Sequence, residues 1–250
     1  MLGVVWTTVK SNLDSCPDQR SAALAAASGA FYNRPMATVP QPRDHKFAER
    51  RAELGEAALQ TLAELGYART SLREIAQNSE FSHGVLHYYF TDKLDLILCS
   101  VRQYKARCVT RYDEVTTTST TFDELLAGFA TALGASARDE APMHRLWYDL
   151  RSQSLFEEAF RADVAAIDKS LEKMIWRVMS RLAELAGAPV NAPSDVTYAM
   201  FDGLFQQALL KHLSGDKKAV ATMQSNVRLV VSQLVPAPAP NKRRRQTAPA

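Results

Sequence analysis

The sequence has little of what a membrane-embedded, secreted or catalytic chain needs. No run approaches the roughly 18 consecutive apolar residues of a spanning helix, and the opening MLGVVWTTVKSNLD has no basic stretch followed by a long apolar one. These absences predict a chain that neither crosses a membrane nor is exported. Cysteine is scarce. Cys16, Cys99 and Cys108 form no CxxC pair, and the last two, nine positions apart, fall on nearly opposite faces of any helix that carries both. Such cysteines suit free thiols in a reducing, cytoplasmic setting. There is no glycine-rich phosphate loop, G-x-S-x-G elbow or paired Cys/His cluster, so nothing supports an enzyme, and neither a cofactor nor a metal is expected. Period-two runs of useful length are missing, which removes a β-rich fold. Net charge is small as well: the formal +3 includes Lys242, Arg243, Arg244 and Arg245, and +3 less those four leaves −1 for the rest. Overall charge therefore does not by itself point to nucleic acid.

What is present is helical periodicity, in a chain whose 46% hydrophobic content is ample for a core. Residues 1–42 show no sustained period and read as a disordered arm, and Met36, just ahead of the organised part, is a candidate translation start. From Arg43 onward Phe47, Leu54, Ala58, Leu62 and Leu65 recur as on one helix face, which Gly66 ends. Ser71-Leu72-Arg73-Glu74 reads as a capping box opening a short helix to about Gln77. Ser82 caps a second short helix to about Tyr89. Asp92 caps a third, which carries Leu94, Ile97, Leu98 and Val101 and reaches roughly Glu114. The threonine-rich TTTSTT at Thr116 to Thr121 reads as a break. Helices are then expected at roughly 122–138, 142–154, 156–186, 194–213 and 216–234. The tail PAPAPNKRRRQTAPA has nothing to bury and should be disordered, its basic run available for sequence-blind contact with DNA. The fold class is all-α.

Residues 47–97 carry the function. Helix, short helix, tight turn, short helix and helix is the plan of a helix-turn-helix, whose second short helix lies in the major groove. Gly84, a residue a stable helix least wants, removes a side chain where something must approach the backbone closely. Around it stand Ser82, His83, Val85, His87 and Tyr88 in place of the Lys/Glu cover of a solvated face. His83 and His87 also have the i, i+4 spacing of zinc ligands, but no third ligand is evident. Gly66-Tyr67, Thr70-Ser71 with Ile75-Ala76, then Ser82, Gly84, Leu86, His87, Tyr89-Phe90 and Lys93 together resemble the signature of the TetR family of transcriptional regulators over about fifty residues.

That resemblance implies a three-helix helix-turn-helix head at 43–92, a helical effector-binding and dimerisation body at 93–235 and a basic tail at 236–250. It implies double-stranded operator DNA as partner, with Ser71, Tyr88 and Lys93 on phosphates and Ser82, His83, Gly84, Val85 and His87 facing the groove. Leu72, Ile75, Ala76, Leu86, Tyr89 and Phe90 are left for the small core. The family's body usually encloses a cavity, and Met143, His144, Trp147, Tyr148, Phe156, Phe160, Met174, Trp176, Phe201 and Phe205 suit an apolar or amphipathic small molecule. The last two helices carry Tyr198, Phe201, Leu204, Phe205, Leu209 and Leu213, then Val220, Met223, Val227, Val230, Val231 and Leu234. Both stripes are compatible with intramolecular core, while the resemblance implies that this region pairs with its symmetry mate in a homodimer. The expected function is a ligand-released repressor. The alternative is a helical interaction or structural module that reads no operator.

Overall fold

The structure, a computed structural model, describes residues 42–236, so the expectations for the arm and for the basic tail fall outside the described residues. Among these residues the secondary structure is helical, without a strand. Helices α1 (Pro42–Arg69), α2 (Leu72–Gln77) and α3 (His83–Tyr89) form the head, and α4 (Lys93–Cys108) leads out of it. The body follows with α5 (Asp113–Thr118), α6 (Phe122–Asp139), α7 (Ala141–Gln153), a 3₁₀ turn at Glu158–Phe160, α8 (Arg161–Ala186), α9 (Ser194–Leu213) and α10 (Ala219–Leu234).

The helix starts are set by side chains satisfying backbone donors that have no helical partner. The Ser71 hydroxyl accepts from the Glu74 amide at 3.2 Å and the Glu74 carboxylate accepts from the Ser71 amide at 2.7 Å, a complete capping box. Ser82 accepts from Val85 N at 3.3 Å and Asp92 from Asp95 N at 2.9 Å. At Gly66 the backbone of α1 leaves helical geometry, with φ 76° and ψ 173°, a region essentially closed to side chains with a Cβ.

Three segments differ from the sequence expectation. The helix after Asp92 stops at Cys108, short of Glu114, because a turn through Val109–Tyr112 swings the Tyr112 ring into the core edge-on to Phe129, 5.0 Å between centroids. The threonine run is not a break throughout. Thr116, Thr117 and Thr118 are helical, their hydroxyls donating to carbonyls three or four residues back at 2.6–3.0 Å. The interruption falls later, where Thr121 forms a second capping box with Glu124. The helix expected from 156 is a 3₁₀ turn followed by α8 from Arg161.

Buried apolar residues form one continuous cluster from Leu54 in α1 to Val235 after α10, running through Leu96, Ile97, Leu98 and Val101 of α4. Helix α1 packs on both α4 and α7, and α6, α8, α9 and α10 close the body. Of the apolar stripes on α9 and α10, Phe201, Phe205, Met223, Val227, Val231 and Leu234 belong to this cluster, and Leu209 is buried as well. No described helix is long and apolar enough to cross a membrane.

Candidate functional site

The second short helix is held at a fixed angle by an arginine that sequence reasoning missed. Arg51 of α1, 5% exposed, donates to the Tyr89 carbonyl at the end of α3, pairs with both Asp95 carboxylate oxygens and lies 4.5 Å over the Phe90 ring. Asp95 also accepts from Thr91 N at 3.1 Å. Burial opposes ionisation of Asp95, but the Arg51 and Thr91 hydrogen bonds outweigh it and hold the carboxyl below its usual range. A buried arginine inside the apolar stripe of α1 was the available signal. Leu72, Ile75, Leu86 and Phe90 are buried beneath, and Ala76 and Tyr89 pack half-buried against them.

On the outer face Ser71, Ser82, His83, Gly84, His87 and Tyr88 are exposed, while Val85 is half-buried against the core. Tyr88 is 72% exposed. A Cβ built on Gly84 would come no closer than 4.0 Å to any neighbour, the Ser82 hydroxyl, so the protein's own packing does not require glycine there. The His83 and His87 Nε2 atoms lie 3.2 Å apart, and no group of three metal-ligating side chains occurs among the described residues. Lys93 is half-buried, its ammonium 4.1 Å over the Tyr67 ring, and burial lowers its pKa.

Behind the head, α4, α6, α7, α8 and α9 line a partly open cavity of about 60 Å³. Six of the ten residues proposed from sequence line it: His144, Trp147, Tyr148, Met174, Phe201 and Phe205. The other four stand elsewhere. Phe156 is 83% exposed on the turn after α7, and Phe160 is fully buried edge-on to Tyr67, 5.1 Å away. Met143 and Trp176 are half-buried, each next along its helix to a position that faces the cavity or core, hence rotated about 100° away.

The polar lining was not anticipated. Lys105, Cys108, Arg111 and Tyr112 come from α4 and the turn after it, and Tyr198 and Asp202 from α9. Lys105 follows Val101 and Tyr104 and precedes Cys108 at i, i+3, i+4, i+7 spacing, so a charge inside an apolar stripe was legible. Burial lowers its pKa to about 8, with Arg111 adding to the effect and Cys108, Asp202 and Glu140 opposing it. Burial, with Lys105 and Arg111 nearby, takes His144 well below its usual pKa, so the ring is neutral at pH 7. Its Nε2 lies 2.9 Å from the Ser136 hydroxyl. Arg111 is paired with Glu140, which also accepts from the Tyr104 hydroxyl at 2.6 Å. Arg151 bridges Asp168 and Asp202, and Tyr148 donates to Asp202 at 2.9 Å.

Residues 54–98 match the family model described as bacterial regulatory proteins, tetR family. The regulator BetI of Burkholderia mallei (strain NCTC 10229) is 27% identical over 183 residues, 71% of this chain and 90% of its own length. In fold, the chain is similar to the Bacillus subtilis regulator FadR determined with stearoyl-CoA, at TM-score 0.60 and 18% identity over 73% of this chain and 98% of that one. It is equally similar to a Saccharomonospora viridis regulator determined with choline, at TM-score 0.60 and 18% identity over 74% of this chain and 96% of that one. The capped helix-turn-helix carries the tetR-family match, and the likeness to these transcriptional regulators extends in fold through the body.

Proposed function

We propose that two copies of this chain form a repressor that grips a palindromic operator and is released by a small organic effector bound in the body. The observation that carries the reading is the outer face of α3, where small and polar groups surround an exposed glycine that internal packing does not ask for. Ser82, His83, Gly84, Val85 and His87 face the base edges, and Ser71, Tyr88 and Lys93 hold phosphates, Lys93 by leaving the Tyr67 ring. The two half-sites lie about one helical turn, ~34–36 Å, apart.

Pairing through the last two helices is supported by the apolar side chains that one copy leaves uncovered there: Val196, Met200, Leu210 and Leu213 on α9 and Leu229 on α10. The cavity is the effector site. Helix α7 supports the link between the two functions, because His144, Trp147 and Tyr148 line the cavity while Arg145 and Asp149 of the same helix bond to the end of α1. An effector that favours a displaced α7 would shift the spacing of the heads by population, within the limit of its differential affinity.

The test is electrophoretic retention of DNA flanking the chain's own gene, with competitor at moderate salt, by the wild type and by Gly84→Ala. Saturable, palindrome-dependent retention is expected of the wild type. Gly84→Ala should unfold at higher temperature, by about 0.5–1 kcal/mol of helix stability, yet lose most of its retention. A variant that gains stability and binds the same DNA equally well would show that nothing approaches this face.

A further inference from the structure

Three polar groups of the cavity lining, the Lys105 ammonium, the Trp147 indole N–H and the Tyr112 hydroxyl, have no hydrogen-bond partner among the described residues, and the first two can only donate. Lys105 is 4% exposed, its ammonium 4.9 Å from the Trp147 ring and 5.4 Å from the Tyr104 ring. Among the described residues no carboxylate, carbonyl or hydroxyl bonds to it. Trp147 is 2% exposed, and its Nε1 also lacks an acceptor. An ammonium and an indole N–H donate and cannot accept. The acceptors nearby are already engaged: Asp202 by Tyr148 and Arg151, Asp168 by Tyr198 at 2.7 Å and Arg151 at 3.1 Å, and Glu140 by Arg111 and Tyr104. What these two donors lack is an acceptor of their own with free oxygen lone pairs.

We propose that the cavity takes a compact organic anion, a carboxylate on an aromatic or branched apolar body, whose oxygens accept from Lys105 and Trp147. This rests on reading the cavity as the effector site and adds the charge of the effector. A quaternary ammonium such as choline is disfavoured, because the protein's own ammonium already stands in the lining, 4.9 Å from the Trp147 ring, and repels a second cation there. The apolar remainder of the ligand meets Leu133, Leu171, Met174, Ile175, Phe201 and Phe205. At about 60 Å³ the cavity is smaller than the roughly 150 Å³ that admits a benzene ring. Entry of such a body therefore requires the cavity to widen, and a shift of α7, which lines it, is the displacement a ligand-driven release requires.

Titration calorimetry on the full chain at pH 7 with benzoate, phenylacetate, their amides and choline tests the assignment. The acids should bind about tenfold or more tighter than the matched amides, the gain expected of a charge-assisted hydrogen bond, and choline should not bind. Lys105→Met, verified as folded by circular dichroism, should lose the preference for the acid, and Lys105→Arg should keep it. Choline binding as tight as the acids, equal affinity of acid and amide for the wild type, no binding of either acid at millimolar concentration, or an unaltered preference in Lys105→Met would each overturn the anion site. Electrophoretic assays with the same compounds separate the two layers. Acid binding that leaves DNA bound upholds the anion site and sinks the effector reading, whereas DNA release by choline does the reverse.

Discussion

Lys105 is a charged residue in a position where the pattern of α4 calls for an apolar one, and its burial has a measurable stability consequence. An ammonium taken out of water without a partner is destabilised relative to its neutral form, which is why its pKa falls from 10.5 to about 8 on folding. The sign follows from proton binding. Below pH 8 the group is charged in both states and the folded protein bears the full desolvation penalty. Between pH 8 and 10.5 the unfolded chain still holds the proton while the folded one releases it, so stability rises with pH across that window. Lys105→Met should therefore be more stable than the wild type by about 3 kcal/mol at pH 7, at about 1.4 kcal/mol per pH unit. That advantage should shrink steadily toward pH 10.5. Urea unfolding of both proteins at pH 7 and pH 10 measures it, since the other titrating groups are common to the pair. A constant difference between the two pH values would mean that Lys105 is hydrated in the folded state. A residue that weakens its own fold in this way is explicable if binding an anion removes the penalty.

At the scale of elements, the joint between α1 and α7 decides how the body reaches the head. Gly66 turns the chain out of α1, leaving terminal carbonyls that Arg145 satisfies at Ala63 and Glu64, and an amide on Tyr67 that donates to Asp149 at 2.9 Å. Only a glycine fits this turn, and even a Cβ there would stand 3.2 Å from the Asp149 carboxylate. Replacing Asp149 by Leu strands the Tyr67 N–H, which should lower stability by about 1–3 kcal/mol. Hydrogen exchange should accelerate in peptides spanning residues 66–72 while α10 stays protected. Exchange that speeds up equally everywhere would argue that α7 holds no local latch. The helix starts were legible in the sequence because capping is a local transaction: Ser71 with Glu74, Ser82 with Val85 and Asp92 with Asp95 each lie within three residues. The long-range partners were not. Nothing in the order of residues links Arg51 to Asp95, Asp149 to Tyr67, or Lys105 to Trp147. The threonine run misled for a related reason, because its hydroxyls bond back to their own helix once the Tyr112 turn has set its direction. The aromatic and methionine residues of the body indicated a cavity by type, but helix rotation, which type does not report, separates His144 from Met143 and Met174 from Trp176.

At the scale of the whole molecule, one copy leaves an apolar stripe uncovered. Val196, Met200, Gly203, Gln207 and Leu210 follow one another along α9 at alternating steps of four and three, the period of helices packed side by side. Leu210 is 61% exposed, and a Cβ on Gly203 would meet nothing within 4 Å, so the stripe has both a large knob and a notch for close approach. The neighbouring Phe201, Phe205 and Leu209 are buried in the monomer, so the proposed pairing face of α9 can be altered without touching them. Leu210→Glu places a charge on the open side without disturbing that core, so the helical circular dichroism spectrum and the thermal midpoint of the monomer should be preserved. Sedimentation velocity should then show one copy where the wild type shows two. Retention of a palindromic operator should fall by more than about tenfold, because a single head contributes only half of the phosphate and base contacts. A single half-site should be bound with comparable weakness by both proteins at equal subunit concentration. If Leu210→Glu instead sediments as a dimer and keeps its operator, the pairing face lies elsewhere on the body, and the spacing of the two α3 helices must be set by a different axis.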